Sequence, residues 1–258
     1  MAVVVFTSVH GAPGVTTLAV AVAHHWAAVT SRDAVLVEAD VDGGVIAARH
    51  QLGLVPGLTE LAGTARLGID ADDILGRAQR FASGVAVIPA HPSSDRTQAA
   101  LRAAAGHLAR AFAALPQHDV LIDAGRVRPG SPVLALLETA SRIVIVARPD
   151  AEALVVAMNR IGFLRQIAPL DVVVVGTKPY GPGEIAAALD VTNVTVIPAD
   201  ADAVQRDPAA IGRSRRRAWP AAVRALTEHL AGASGATREP ADALAVAAVA
   251  AVVDGLSS

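Results

Sequence analysis

Cysteine is absent from this 258-residue chain, which excludes disulfides and thiolate metal sites. Aromatic residues make up only 3%, so the core must be built from Ala, Val, Leu and Ile; this argues against the base-stacking platforms of single-strand-binding proteins. No uninterrupted apolar run approaches the ~20 residues needed to span a bilayer, and the first residues carry neither a basic segment nor a cleavage site. A soluble cytoplasmic protein is therefore expected. The formal net charge is only -2, so nothing draws the whole molecule to nucleic acid or anionic lipid, and such binding would need a local patch. The last absence is local: a loop shaped to use lysine has none.

What is present is apolar, at 53% of residues, and this length suits one α/β domain with a large core. Continuous Val/Ile-rich runs predict strands at the amino end through Thr7 and at Ala34–Glu38, Val85–Pro89, Val120–Asp123, Ile143–Ala147, Val172–Gly176 and Val194–Pro198. Helical patterns separate most of them, including Gln98–Leu115, Ala151–Ile167, Pro182–Ala188 and Ala218–Ala231. Fully apolar strands alternating with helices predict a doubly wound, mostly parallel sheet covered on both faces, with ligands at the carboxyl ends of the strands. The expected division is a domain over 1–231, a Gly/Ser/Thr-rich linker over 232–240 and a helical Ala/Val-rich tail over 241–258. The tail has no Lys or Arg after Arg238, which suits docking onto protein better than lying on a membrane.

The stretch Val9-His10-Gly11-Ala12-Pro13-Gly14-Val15-Thr16-Thr17 lies between the first strand and the first helix. That is the setting of a phosphate-binding loop, in which backbone N–H groups and a helix N-terminus surround the anion. A lysine then reaches the β/γ oxygens and a Ser/Thr hydroxyl holds Mg²⁺. Against G-x-x-x-x-G-K-[ST], Gly14 and Thr16 match, while Val9 stands for the first glycine and Val15 for the lysine.

Two acidic strand exits follow. Val35-Leu36-Val37-Glu38-Ala39-Asp40-Val41-Asp42-Gly43-Gly44 places acidic residues at the exit of the second strand, where carboxylates orient water or metal-bound water near a γ-phosphate. His118-Asp119-Val120-Leu121-Ile122-Asp123-Ala124-Gly125 is an apolar strand ending in the acid that would hold Mg²⁺ opposite Thr16. Arg213-Ser214-Arg215-Arg216-Arg217 is the one dense basic cluster, able to contact phosphates or an acidic partner.

In this order the elements resemble the MinD/ParA family of deviant-Walker phosphate-loop proteins, over nearly the full length to about Ala231. The family loop G-K-G-G-x-G-K-[ST]-T matches at Gly11, Gly14, Thr16 and Thr17, with His10 at its extra lysine position. Glu38-Ala39-Asp40 looks like its D-x-D segment, Asp123-Ala124-Gly125 like its second acidic motif, and Pro56-Gly57-Leu58-Thr59-Glu60-Leu61 like its P-G-L-x-x-L segment. Ile197-Pro198-Ala199-Asp200 resembles a stretch that lies against the adenine in relatives. Lysine-free loops of the form G-x-x-G-x-[ST]-T-L-A are similar to those of the CpaE/TadZ branch, whose members position or assemble polar machinery.

The resemblance implies a nucleotide site formed by His10, Gly11, Ala12, Pro13, Gly14, Val15, Thr16, Thr17, Pro198 and Asp200, with Thr16, Asp40 and Asp123 around Mg²⁺. It also implies a homodimer. Members that hydrolyse ATP use both loop lysines on phosphate, and here both are gone, a loss comparable to removing cations worth 10³–10⁵ in rate. The expectation is a dimerising pseudo-ATPase scaffold that positions or regulates a larger protein assembly, binding ATP or ADP weakly or not at all. It could be recruited to a pole, a membrane-bound assembly or the nucleoid by a partner. Two alternatives stay open: an active partition-type ATPase using other residues, such as His10, Lys178 or an arginine from another chain, and nonspecific DNA binding through Arg213, Arg215, Arg216 and Arg217.

Overall fold

A computed structural model describes residues 1–11, 13–200 and 218–234. Ala12, the arginine cluster at 213–217 and the tail at 241–258 lie outside the described residues. The chain runs β1 (Val3–Ser8), α1 (Val15–Thr30), β2 (Asp33–Glu38), α2 (Ile46–Arg49), α3 (Leu58–Ala65), α4 (Ala71–Gly76), β3 (Gln79–Arg80), β4 (Ala86–Ile88) and α5 (Ser94–Ala113). It continues through β5 (His118–Arg126), α6 (Leu134–Leu137), β6 (Arg142–Ala147), α7 (Ala151–Ile167), β7 (Leu170–Val175), α8 (Pro182–Leu189), β8 (Val194–Ile197) and α9 (Ala218–Ser234).

Among the described residues these strands form one sheet in the order β3-β4-β2-β5-β1-β6-β7-β8. All neighbouring pairs are parallel except β3 with β4. The expected doubly wound α/β architecture is thus present. Strand alternation divides the core by face. Val3, Val5, Val35, Val37, Val120 and Ile122 point into one apolar cluster, which α3 and α5 through α8 complete. Val4, Phe6, Leu36 and Leu121 point into the other, against α1 and α9. Those two helices bury residues at helical spacing: Leu18, Val22 and Trp26 on α1, and Trp219, Val223, Leu226 and Leu230 on α9.

The elements differ from the sequence expectations at their ends. α7 starts where expected because Asp150 caps it, its carboxylate accepting the Ala153 N–H at 2.9 Å. α5 begins at Ser94 rather than Gln98; its first turn is polar and shows no apolar period, yet the Thr97 N–H closes it on the Ser93 carbonyl at 3.1 Å. α9 continues to Ser234, past the expected end at Ala231.

The strand order brings the carboxyl ends of β2, β5 and β1 side by side. One irregularity shapes that corner. Phe6 pairs with Asp123 and Ser8 with Arg126, so β5 carries an extra residue there, a bulge of the kind that re-aims side chains beside functional sites. The Thr7 hydroxyl fixes it by donating to the Gly125 carbonyl at 3.1 Å.

Candidate functional site

The loop after β1 enters α1 through Gly14, whose φ of +99° lies in the left-handed region and favours glycine. No side chain caps α1, and its first turn contains no acidic residue. The partial positive charge of its amino end therefore has no counterpart of its own, which suits an anion. Thr16 and Thr17 are half-buried in that first turn.

The two positions where lysine would act have different fates. Val15 is 6% exposed and belongs to the apolar cluster containing Phe6 and Leu18. An apolar side chain packed into the core stands there. His10 stays at the surface, its Nε2 4.0 Å from Glu152 Oε2 at the start of α7. At that distance, between exposed groups, the pair contributes little.

Across from Thr16, Asp123 is fully buried on β5. Its Oδ1 accepts the Gly125 N–H at 3.0 Å, whereas its Oδ2 is buried with no hydrogen-bond partner. Burial, and secondarily the charge of Glu38, push its carboxyl up to about 7; the neighbouring Thr16 hydroxyl and the Gly125 N–H oppose that shift. A buried, unpaired carboxylate oxygen beside a loop threonine fits a cation, so Thr16 and Asp123 are the residues that would hold Mg²⁺. Among the described residues no group of three or more His, Cys, Asp or Glu side chains is placed to hold a metal ion.

Asp40, the other predicted acid, lies against the bulge. A Cβ on Gly125 would collide with the Asp40 carboxyl, and Gly125 has a φ of +55°, so both space and backbone require glycine there. The Asp40 Oδ1 accepts the Asp42 N–H at 2.9 Å. Burial raises the Asp40 carboxyl above its ordinary range, opposed first by that N–H and then by the charges of Arg126 and Arg128.

Glu38 is not a solvent-facing acid. It is fully buried, with Oε1 accepting from Val45 N at 2.7 Å and Ile46 N at 3.0 Å, and Oε2 from Ala90 N at 2.9 Å. It ties the segment after β2 to the exit of β4, and those three donors leave no role for it in chemistry at the rim. The P-G-L stretch is explained likewise: the Gly57 N–H donates to Glu60 Oε2 at 3.0 Å, and a Cβ at Gly57 would meet the Pro89 carbonyl at 2.7 Å.

Pro198 and Asp200 follow β8 at the same carboxyl edge, on the far side of β6 and β7 from the loop. Lys178 is exposed, after β7. The residues missed in the sequence are Arg126 and Arg128, and with them their pairing with Asp42, one of the acidic residues at the exit of the second strand. Asp42 Oδ2 accepts from Arg126 Nη2 at 2.9 Å and from Arg128 Nη2 at 3.3 Å. No motif signals this group, because its members are more than 80 residues apart in sequence, at separations of 84 and 86.

No protein-family model matches the sequence, and no curated protein matches it. Solved structures do match in three dimensions. A ParA family ATPase from Chlorobium tepidum TLS aligns with a TM-score of 0.75 and 15% identity, covering 89% of this chain and 98% of that one. The septum site-determining protein MinD from Pyrococcus horikoshii OT3, solved with Mg-ADP, gives 0.71 and 15%, covering 92% and 99%. The MinC:MinD cell division complex of Aquifex aeolicus gives 0.63 and 16%, covering 93% and 98%. This chain therefore has the fold of the MinD/ParA ATPases over nearly its whole length. Among its described residues no helix is long and apolar enough to cross a membrane.

Proposed function

We propose that this chain is a MinD/ParA-like pseudo-ATPase, a dimerising scaffold that positions or regulates a larger protein assembly. The observation that carries this reading is Val15, sunk into the core where the phosphate lysine would stand. What remains is an anion pocket: the uncapped end of α1, Thr16, and the unpaired oxygen of Asp123. Mg²⁺ held by Thr16 and Asp123 would offset phosphate charge. The chain's own groups can cradle a polyphosphate through backbone N–H donors and the Thr16 hydroxyl. They place no lysine on the β/γ oxygens, where transition-state charge develops.

The fold supports the positioning role, because the proteins that share it include a septum site-determining protein and one solved in complex with MinC. The lysine-free loop supports placing the chain near the CpaE/TadZ branch. The reading is tested by calorimetric titration with Mg-ATP and Mg-ADP alongside light scattering. A stable dimer whose mass does not respond to nucleotide, with weak binding or none, is expected. Tight ATP binding that converts monomer into dimer would contradict the scaffold and favour a working partition ATPase.

A further inference from the structure

Arg126 ends β5 immediately after the bulge and pairs with Ser8, at the last position of the strand that feeds the phosphate loop. The Val127 N–H donates to the Ser8 carbonyl at 2.9 Å, holding the Arg126 backbone on that strand end. Its guanidinium acts on the Asp40 carboxyl and is clasped by Asp42, which also takes Arg128. The strand pairing and the two carboxylates thus put these cations at the corner where β1, β2 and β5 end, beside the pocket that lacks lysine.

The clasp is incomplete. Arg126 Nε is buried with no hydrogen-bond partner, although one Nη is bonded to Asp42. A charged donor left unsatisfied is costly, and the planar fork of an arginine suits bidentate recognition of a phosphate. The Asp42 carboxylate is 41% exposed, Arg126 36% and Arg128 53%. Ion pairs this open to solvent are weak and readily exchanged.

We propose that Arg126, assisted by Arg128, binds the terminal phosphate of a nucleoside triphosphate, and that Asp42 occupies the arginine until that phosphate displaces it. The proposal rests on the reading of the loop as an anion pocket and adds the cation from another strand. It assigns Arg126 to ground-state binding. A guanidinium arriving from the β5 exit does not restore a lysine within the loop, so binding is recovered while hydrolysis is not. Asp42 makes the site self-competing: affinity for triphosphate is the difference between two claims on one guanidinium.

The test is isothermal titration of the full chain with Mg-ATP and with Mg-ADP, for wild type, Arg126→Ala, Arg126→Lys, Arg128→Ala and Asp42→Asn, with thermal melts confirming folding. Arg126→Ala is expected to lose about tenfold or more in ATP affinity and much less in ADP affinity, in keeping with one charge-assisted contact to the terminal phosphate. Arg126→Lys should fall between, and Arg128→Ala should lose about threefold, its contact being longer and more exposed. Asp42→Asn should bind ATP more tightly than wild type. The proposal is overturned if Arg126→Ala binds ATP as wild type does, if Asp42→Asn fails to tighten binding, or if wild type binds no ATP at millimolar concentration. In that last case the scaffold reading stands. Turnover by wild type would instead sink the scaffold reading, while the Arg126 effect could still be scored.

Discussion

Asp119 and Asp123 stand on the same strand, both buried, at 3% and 0% exposure, yet their surroundings are opposite. Asp119, at the amino edge of the sheet, accepts from Ala2 N at 2.7 Å and Trp26 Nε1 at 2.9 Å, and the Arg32 Nε reaches both of its oxygens, at 3.2 and 3.1 Å. Every claim on that carboxylate is met by the protein, and it joins the chain start, α1 and β5. Asp123, at the carboxyl edge, has one backbone donor and the Thr16 hydroxyl beside it, while its buried Oδ2 has no hydrogen-bond partner. One acid is finished by the fold and the other is left open. The difference separates the structural edge of the sheet from the edge where parallel α/β folds bind ligands.

Breaking the finished acid should have the larger effect. Asp119→Ala strands a buried indole N–H and the Ala2 N–H and leaves Arg32 without its partner. A loss of about 3 kcal/mol in unfolding free energy is expected from urea denaturation. A loss below about 0.5 kcal/mol would mean that Asp119 is not the tie described.

Asp123 should behave in the reverse sense. Its carboxyl is raised from 3.8 to about 7 in the folded chain, so between those values the native state holds a proton that the unfolded state releases. Stability contributed by the protonated form is present at low pH and lost as pH rises through about 7. Asp123→Asn is accordingly expected to stabilise the ligand-free protein on the order of 2 kcal/mol at pH 8, with the gain shrinking toward pH 5. A destabilised variant at pH 8, measured by the same denaturation, would show that the open oxygen is satisfied in solution and would erase the contrast with Asp119.

Much of this contrast was legible from sequence, for identifiable reasons. β-branched runs such as Val3–Phe6 and Ile143–Val146 cannot be confused with surface segments, and they specified the parallel sheet. The positions of Asp123 near the end of a strand and of Thr16 in the first turn of a helix were legible because strand–loop–helix context gives a terminal acid and a loop hydroxyl fixed places. The helices α2, α3, α4 and α6 and the two-residue β3 were not found; all but the eight-residue α3 are too short to show a period. Glu38 read as a rim acid because sequence shows charge and not the three N–H groups that enclose it. The pairing of Asp42 with Arg126 and Arg128 was invisible for a different reason: only the adjacency of β2 and β5, and the bulge at Gly125, make neighbours of them.

The central claim is that the pocket has kept its anion-binding frame and lost the cations of phosphoryl transfer. Mg-ATP hydrolysis, followed as phosphate release by the purified wild type and by Asp40→Ala, tests it most directly. The account predicts that the two proteins release phosphate at the same rate, no faster than a protein-free control. Sustained turnover by wild type that Asp40→Ala abolishes would contradict it.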